Sequence, residues 1–257
     1  MVIQNLFALI LVVTSIAVLW YNYWWASKGH KFFIRKLPAL DAISEALSRC
    51  AELGVPAYFP MSGGPVEQAQ SGPSHLAALS IMGYATKPAS EMGVKILVGT
   101  VQPPLIAMSD DVLTEGYRIN GAPELHKLED VMYYPGQMQI VAGSDSLFKQ
   151  YKMASTFMLG SWWADTPAMC EVVKRHDSFL IGGTEYIENV SYLVAFSDYA
   201  LVFEEIYAAG AYISDDEKLK SSIFSEDIIK MIVIALTIVG AIAVSAGMRD
   251  FLKWIAM

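Results

Sequence analysis

The chain has 257 residues, which gives room for one ordinary domain plus membrane segments and hardly for two domains. Apolar residues make up 54% of it and its mean hydropathy is +0.38, values that are high for a soluble protein, and the excess lies at the two ends. The middle, residues 37–227, carries more than twice as many acidic as basic side chains and offers no basic face, which argues against nucleic acid as a partner.

An uncharged apolar run opens the chain. Residues 3–25 are long enough to form a helix that crosses the hydrocarbon core of a bilayer. Aromatic residues crowd the C-terminal end of this run, where amphipathic rings favour the headgroup level: Trp20, Tyr21, Tyr23, Trp24 and Trp25. The alternative is a cleaved signal peptide, which typically has a basic start, a shorter apolar core and small residues at its cleavage site. We predict an uncleaved transmembrane helix over residues 1–27, followed by a basic juxtamembrane collar over residues 28–36.

Helix and strand patterns mostly alternate through residues 37–226. Apolar spacing and turn residues predict helices over 38–53, 74–86, 109–120, 148–163, 168–176 and 199–213. Short apolar runs predict strands over 55–59, 94–100, 137–142, 179–181 and 192–196. This order favours an α/β fold, a doubly wound, mostly parallel sheet with flanking helices.

A second apolar run closes the chain. Residues 227–248 are predicted to form a C-terminal transmembrane helix, with a short tail over residues 249–257, so that one such helix stands at each terminus. A buried core helix is the alternative. The run contains small residues at a spacing that lets helices pack closely in lipid: Gly240, Ala241, Ala243, Ser245 and Gly247.

Positive charge follows the first apolar run and precedes the second. By the positive-inside rule, this pattern predicts a two-pass protein of the cell membrane with the central domain in the cytoplasm and both termini outside. Cys50 and Cys170 are consistent with a cytoplasmic domain, because two thiols in a chain of this length do not suggest a disulfide framework. Both are predicted to be buried small hydrophobes.

The turns after the predicted strands contain the candidate ligand-binding residues, because the crevice of an open α/β sheet lies at the carboxyl ends of its strands. Glycine and hydroxyl side chains there let backbone amides approach an anion. The candidates are Ser62, Gly63, Gly64, Gly182, Gly183, Thr184 and Asp198. The alternative is that such turns need glycine for positive φ and Ser or Asp for helix capping. Neither a P-loop nor a dinucleotide fingerprint is present, so no cofactor is predicted.

No catalytic or metal-binding motif is found. The four histidines lie in separate segments, and none has a partner at metal-ligand spacing. Glu204 and Glu205, which follow Asp198, have three interpretations: acid–base catalysis by paired carboxylates, ordinary helix-start and surface charges, or contact with a basic residue of a neighbouring subunit. We treat the two glutamates as association candidates together with the small residues of the second membrane helix.

One stretch carries a family resemblance. Residues 196–214 read FSDYALVFEEIYAAGAYIS, and residues 37–46 (LPALDAISEA) and 52–57 (ELGVPA) support the same match. The chain resembles an uncharacterised domain-of-unknown-function family of prokaryotic membrane proteins, from archaea and deep-branching bacteria. The resemblance extends from about residue 30 to the second membrane helix. It implies an α/β domain beside transmembrane helices, and it implies no activity, cofactor or catalytic residue.

Three functions are compatible with these patterns. The first is a membrane-anchored, non-enzymatic scaffold or assembly protein that self-associates as a homo-oligomer through its domain and its membrane helices. The second is an accessory subunit of a larger membrane complex. The third is a membrane-bound enzyme or small-ligand-binding protein that uses the crevice at the strand ends. The sequence ranks them in this order because catalytic and ion-path signatures are missing.

Overall fold

The computed structural model describes residues 6–32, 37–214 and 217–245. Its helices are α1 (Leu6–Ser27), α2 (Pro38–Leu53), α3 (Gly72–Met92), α4 (Pro103–Ile119), α5 (Gln137–Tyr151), α6 (Thr166–Arg175), α7 (Ile187–Phe196), α8 (Glu205–Ser214) and α9 (Glu217–Ser245). Its strands are β1 (Ala57–Met61), β2 (Ile96–Thr100), β3 (Val131–Tyr133), β4 (Ser155–Leu159), β5 (Phe179–Thr184) and β6 (Tyr199–Val202). The chain divides into two units: a helix pair, α1 with α9, and an α/β domain over residues 37–214.

The domain is built on a six-stranded sheet in the order β3-β2-β1-β4-β5-β6, with every pairing parallel. Strands β1, β2, β4 and β5 are buried along their whole length. Burial on both faces explains their short, continuous apolar sequences, which is typical of a parallel sheet covered by helices. The predicted α/β class is therefore confirmed, and the chain reverses direction across the sheet between β1 and β4, the topological switch point of this strand order.

Pro60 interrupts the sheet at that switch point. The N–H of Ala57 donates to the carbonyl of Lys95, so the odd-numbered residues of β1 bond to β2 and the even-numbered ones face β4. On the β4 side the register pairs Tyr58 with Thr156. Pro60, two residues further on, has no N–H with which to continue that ladder. The carboxyl ends of β1 and β4 are therefore held together by their loops and side chains instead.

Amphipathic helices cover the sheet. The α2 sequence places its apolar residues on one buried face, and Gly54 ends the helix in the left-handed conformation that glycine adopts without strain. Aromatic rings of adjacent strands stack in the core, with the ring centres of Phe59 and Phe157 5.1 Å apart. Cys50 and Cys170 are buried and reduced, in agreement with the prediction.

The helix pair is polar at one contact and apolar over its outer surface. The Asn22 side-chain amide donates to the hydroxyl of Ser225 at 2.9 Å, a buried hydrogen bond between α1 and α9. Many apolar side chains remain exposed, including Val13, Ile16, Trp20, Ile234, Ile238 and Ile242. Within the described residues, one helical segment, Ala8–Ser27, is long and apolar enough to cross a membrane. The second predicted span begins on α9, and no second segment of this kind is found among the described residues, so the prediction of one at each terminus holds there for the N-terminal end alone.

Several predicted elements differ from the observed ones. Residues 137–142, predicted as a strand, belong to α5, and residues 192–196, also predicted as a strand, belong to α7. The predicted helix over 148–163 contains β4, and the predicted helix over 199–213 is β6 followed by α8. Burial on both faces explains the error at β4, because hydrophobic periodicity no longer distinguishes helix from strand there. Residues 137–142 and 192–196 are runs of five or six residues, which are too short for periodicity to separate the two structures.

Candidate functional site

Two loops meet at the switch point. The loop after β1 begins Ser62-Gly63-Gly64, and the loop after β4 begins Gly160-Ser161. A Cβ atom on Gly63 would lie 2.2 Å from the carbonyl oxygen of Ser161, and the φ of Gly63 is +88°. Glycine is therefore required at residue 63, both for the positive φ and for the close approach of the two backbones. The side chain of Gln102, from the loop after β2, donates to the carbonyl of Gly63 at 2.8 Å and fixes the turn.

Around these loops lies a set of buried polar groups that we call the switch-point cluster: Ser62, His75, Ser161, Trp163, Asp165 and Glu185. Each contributes at least one buried side-chain nitrogen or oxygen that makes no hydrogen bond within the described part of the chain. Native proteins leave few such atoms unpaired, because desolvation without a partner costs about 1–3 kcal/mol per group. Their concentration at one edge of the sheet makes this edge the candidate functional site.

His75 presents a hydrogen-bond acceptor to the cluster. Its Nε2 lies 3.0 Å from the carbonyl oxygen of Gly64, and a carbonyl only accepts, so Nε2 carries the proton. Nδ1 is then a buried lone pair, and it packs against Gly160. Burial lowers the pKa of His75, which keeps the ring neutral at physiological pH.

Asp165 presents a second acceptor. The residue is fully buried at the start of α6, and neither carboxyl oxygen makes a well-aligned hydrogen bond to a described residue, although the Ser62 hydroxyl lies close enough to affect its pKa. Burial raises the pKa of the Asp165 carboxyl, and the Ser62 hydroxyl beside it opposes that shift only in part. A buried carboxyl without a charged partner is unfavourable for folding, which indicates a role other than stability.

Aromatic side chains form the accessible rim of the cluster. The rings of Trp163 and Tyr186 meet edge to face with centres 6.0 Å apart, and both residues are partly exposed. The Ser71 hydroxyl lies 3.5 Å from the Tyr186 hydroxyl and links the β1 loop to the end of β5. Glu185, next to Tyr186, keeps one carboxylate oxygen buried and unpaired toward any described residue.

The arrangement fits binding better than proton transfer. The Nε2 proton of His75 is committed to Gly64, and among the described residues no hydrogen bond joins the imidazole to a serine or a carboxylate of the cluster. Nucleophilic catalysis requires such a link between nucleophile and base. The loops that form the cluster, residues 62–75, 100–103, 160–166 and 184–189, contain acidic residues and no lysine or arginine. The site is thus rich in hydrogen-bond acceptors and negative in charge.

Four of the predicted ligand-binding residues lie at this edge of the sheet. Ser62, Gly63 and Gly64 form the β1 loop, and Thr184 is the last residue of β5. The Thr184 hydroxyl accepts from the backbone N–H of Trp162 at 3.3 Å, so it joins the β4 loop to β5. The structure brings these four residues together, as their positions at strand ends predict.

Gly182, Gly183 and Asp198 lie elsewhere. The two glycines are inside β5, paired with Met158 and Leu159 of β4, and not in a turn. Each permits close packing: a Cβ on Gly182 would lie 2.4 Å from the Ser197 hydroxyl. Asp198 precedes β6 at the amino end of the strands, and the expected position at a carboxyl end is wrong. Its carboxylate accepts from the Leu180 N–H at 2.8 Å and pairs with Lys174 at 3.1 Å.

The association candidates fall into two groups. The Glu205 carboxylate accepts from the Val202 N–H at 2.9 Å and so stabilises the turn between β6 and α8, in which Glu204 also lies. On α9, Ala241 and Ser245 are exposed and Gly240 is half-buried. Ala243 lies on the same helix, but its side chain is outside the described part of the structure, and Gly247 lies outside the described residues altogether.

Five residues of the switch-point cluster were not predicted from the sequence: His75, Ser161, Trp163, Asp165 and Glu185. The β4 strand was assigned to a helix, so the Gly160-Ser161 turn did not appear as the end of a strand. The signal was present: the apolar residues Phe157, Met158 and Leu159 are followed directly by a glycine and a serine. No local sequence pattern identifies His75 as a site residue. Its position near the cluster depends on how α3 packs against the loop that precedes that helix.

Comparison with known proteins gives one match. No curated protein and no solved structure is significantly similar to this chain. A family model, described as "Domain of unknown function (DUF6754)", matches residues 1–255. The predicted resemblance to an uncharacterised family is therefore confirmed, and the chain belongs to the family of domains of unknown function called DUF6754.

Proposed function

We propose that this protein is a membrane-anchored receptor for a small polar molecule, which it binds at the switch-point cluster of its α/β domain. The observation that carries the proposal is the gathering of fully buried, unpaired polar atoms on Ser62, His75, Ser161 and Asp165 at the carboxyl edge of the sheet. This is the edge at which open α/β sheets bind ligands. A bound molecule would supply the hydrogen bonds that the described residues leave unmade.

Membrane anchoring by the helix pair is the second part of the proposal. The α1 surface exposes Trp20, Tyr21 and Trp24, and the Lys28 ammonium lies 3.4 Å from the centre of the Trp24 ring. Aromatic rings with a cation at their edge suit the interface between lipid and water. Exposed apolar residues on the second half of α9 support a second span beside the first. In this arrangement the domain lies in the cytoplasm.

A thermal-shift screen tests ligand binding. The full-length chain in a mild detergent would be heated with small polar compounds of every charge class: anionic, neutral and cationic. A compound present at 100 times its Kd stabilises the folded state by about 2.7 kcal/mol. For a domain of this size that raises the unfolding midpoint by roughly 5–10 °C.

Two aromatic variants locate the binding. Trp163→Ala removes a ring at the rim of the cluster, and Tyr151→Ala removes an exposed ring from the end of α5. We expect stabilisation in the wild type and in Tyr151→Ala, and little or none in Trp163→Ala. The proposal fails if no charge class stabilises the protein, or if the stabilisation survives in Trp163→Ala.

Self-association remains the second candidate function, as a scaffold or as an accessory subunit of a larger complex. The observation in its favour is that the small residues Ala241 and Ser245 are exposed on α9, where a second helix can approach closely. Native mass measurement after mild extraction distinguishes the two forms: a homogeneous multimer supports a scaffold, and unlike subunits support an accessory role. Ala241→Leu is expected to dissociate a multimer held by this surface, and an unchanged mass would exclude the surface.

A further inference from the structure

We propose that a cavity at the amino edge of the sheet binds an uncharged, largely apolar molecule that carries a hydrogen-bond acceptor. The cavity lies at the opposite end of the strands from the switch-point cluster, so this inference does not depend on the function proposed above. Three observations support it: the size and the walls of the cavity, the pairing of its charged side chains, and a partly buried ammonium group that keeps N–H donors for a ligand.

This amino-edge cavity lies where β1, β2 and β3 begin and where α2, α3 and α5 end. Its volume is about 590 Å³, which is in the range of small-molecule sites. Most of its walls are apolar side chains that are buried or partly buried: Val55, Met92, Val94, Leu97, Met132 and Leu147. Methionine side chains are flexible and adapt to the shape of a bound molecule. A cavity with these walls is suited to an apolar ligand.

Two glycines leave space at the rim of the cavity. Gly54 and Gly93 line it, and they end α2 and α3 with φ values of +64° and +68°. A Cβ atom on either glycine would meet no neighbouring group of the described chain within 4 Å. The space beside both residues is therefore open, and a molecule has a route into the cavity.

The charged side chains that line the cavity are paired. The Lys95 ammonium lies 2.6 Å from Oδ1 of Asp130, and the other oxygen of this buried carboxylate accepts from the Lys127 N–H at 2.8 Å. Glu129 is exposed, and its carboxylate lies 3.7 Å from the Lys127 ammonium. A charged ligand would find no free counter-charge among the described residues and would lose hydration against apolar walls, which is unfavourable. The carbonyl ends of α2 and α3 act further against an anion.

Lys95 gives the cavity a directional polar group. Apart from the pair with Asp130, its ammonium makes no hydrogen bond or ion pair with the described residues. An ammonium has three N–H donors, so donors remain for a ligand. Asp130 is 3% exposed and holds the ammonium in place. A carbonyl oxygen on an apolar ligand would accept from Lys95, whereas a hydrocarbon would leave that hydrogen bond unmade.

Equilibrium dialysis of the full-length chain tests the inference, with detergent micelles at equal concentration on both sides so that partition into micelles cancels. Four naphthalenes substituted at the same ring carbon serve as probes. Acetylnaphthalene is neutral and carries a carbonyl, ethylnaphthalene has the same shape without the acceptor, naphthoate is an anion, and naphthylmethylamine is a cation at neutral pH.

We expect saturable binding of one acetylnaphthalene per chain. The ethyl compound should bind about two- to ten-fold more weakly, because one hydrogen bond is missing, and each ion at least about ten-fold more weakly. The inference is overturned if no probe binds saturably, or if the ethyl compound or either ion binds as tightly as the ketone.

Tryptophan variants connect the binding to the cavity. Ala51→Trp adds a ring at an exposed residue of α2 that lines the cavity, and Leu147→Trp adds bulk from α5. Each should weaken the binding of acetylnaphthalene by at least about ten-fold, because the ring takes up space that the ligand needs. Ala107→Trp is the control, since Ala107 is exposed near the start of α4, at the carboxyl edge of the sheet.

Circular dichroism shows which variants are folded, and Ala51→Trp is expected to be folded because its ring is added at the surface. A loss of affinity in a folded cavity variant, with Ala107→Trp unchanged, supports the site. Undiminished binding in Ala51→Trp, or an equal loss in Ala107→Trp, would overturn it.

Discussion

Burial changes the pKa of individual side chains in the α/β domain, and Asp165 is the clearest example. Its carboxyl group is fully buried and makes no well-aligned hydrogen bond to a described residue, and burial raises its pKa more than the nearby Ser62 hydroxyl lowers it. A carboxyl whose pKa is higher in the folded than in the unfolded protein destabilises the fold as pH rises, because the unfolded chain ionises first. Residues that stay in such surroundings are typical of binding sites, where stability is given up for function.

Asp165→Asn is therefore expected to stabilise the protein at neutral pH. The uncharged amide removes the cost of ionising a buried group, and we expect a gain of about 1 kcal/mol at pH 7. The gain should shrink toward pH 4, near the ordinary pKa of 3.8, where the carboxyl is protonated in both states. Urea unfolding of both proteins from pH 4 to pH 8 measures the difference. If the variant is less stable at pH 7, the carboxylate has a stabilising partner and this explanation is wrong.

Asp145 illustrates the opposite case. Hydrogen bonds from Lys149 and His176 lower the pKa of this partly exposed carboxylate to about 2. Its contribution to stability is present above the ordinary pKa of 3.8 and is lost as pH falls toward 2. Asp145→Asn should lower the thermal midpoint slightly at pH 6, and the difference should shrink as the pH falls from 4 toward 2. A difference of the same size at pH 6 and pH 2 would indicate a steric effect rather than loss of the charge interaction.

At the level of helices and strands, the sequence predicts some strands of the sheet and misses others. Strands β1, β2 and β5 were predicted near their observed positions, because glycine, proline or charged residues flank each apolar run. The end of β6 was missed for a physical reason. Phe203 turns the chain with a φ of +51°, a conformation that usually requires glycine or asparagine, so nothing in the sequence separates β6 from α8. The sequence therefore predicted the site residues that lie at the ends of β1 and β5, and it missed those that follow β4.

The switch-point loops depend on Gly63. Gly63→Ala would place a methyl group 2.2 Å from the Ser161 carbonyl oxygen and hold alanine at a φ of +88°. We expect a loss of at least about 3 kcal/mol, measured by urea unfolding, from steric overlap and backbone strain together. Gly54→Ala is the matched control, because Gly54 also has positive φ but no atom within 4 Å of the added methyl. It should lose only about 1 kcal/mol. Equal losses in the two variants would mean that the loops do not approach each other closely.

The pairing of α1 with α9 can be tested by a disulfide. Asn22 and Ser225 are joined by a buried hydrogen bond of 2.9 Å, so these two positions face each other and cysteines there are the pair to test for oxidation. The double variant Asn22→Cys/Ser225→Cys should form an intramolecular disulfide with a mild oxidant, seen as a faster-migrating band without reductant. Asn22→Cys combined with Ser222→Cys is the control, since Ser222 is exposed on α9. Equal cross-linking of both pairs would contradict the observed face of contact.

For the whole molecule, the arrangement of charge along the chain argues for one orientation in a membrane. Basic residues follow α1 and occupy the first half of α9, the two segments that flank the acidic domain in the sequence, and they include Lys28, Lys31, Lys218 and Lys220. Beyond the second apolar run only Arg249 and Lys253 are basic. Positive charge is retained on the cytoplasmic side, where it also meets anionic headgroups. A cytoplasmic domain would meet its ligand inside the cell.

Cysteine labelling in intact cells tests this orientation. A maleimide that cannot cross membranes should leave Asp111→Cys, on the exposed surface of α4, unmodified until the cells are permeabilised. Ala256→Cys, beyond the second apolar run, should react in intact cells. Background from the native thiols is expected to be low, because both are buried and burial raises the pKa of Cys170 to about 12, which leaves almost no reactive thiolate. Labelling of Asp111→Cys in intact cells would place the domain, and with it the proposed ligand site, outside the cytoplasm.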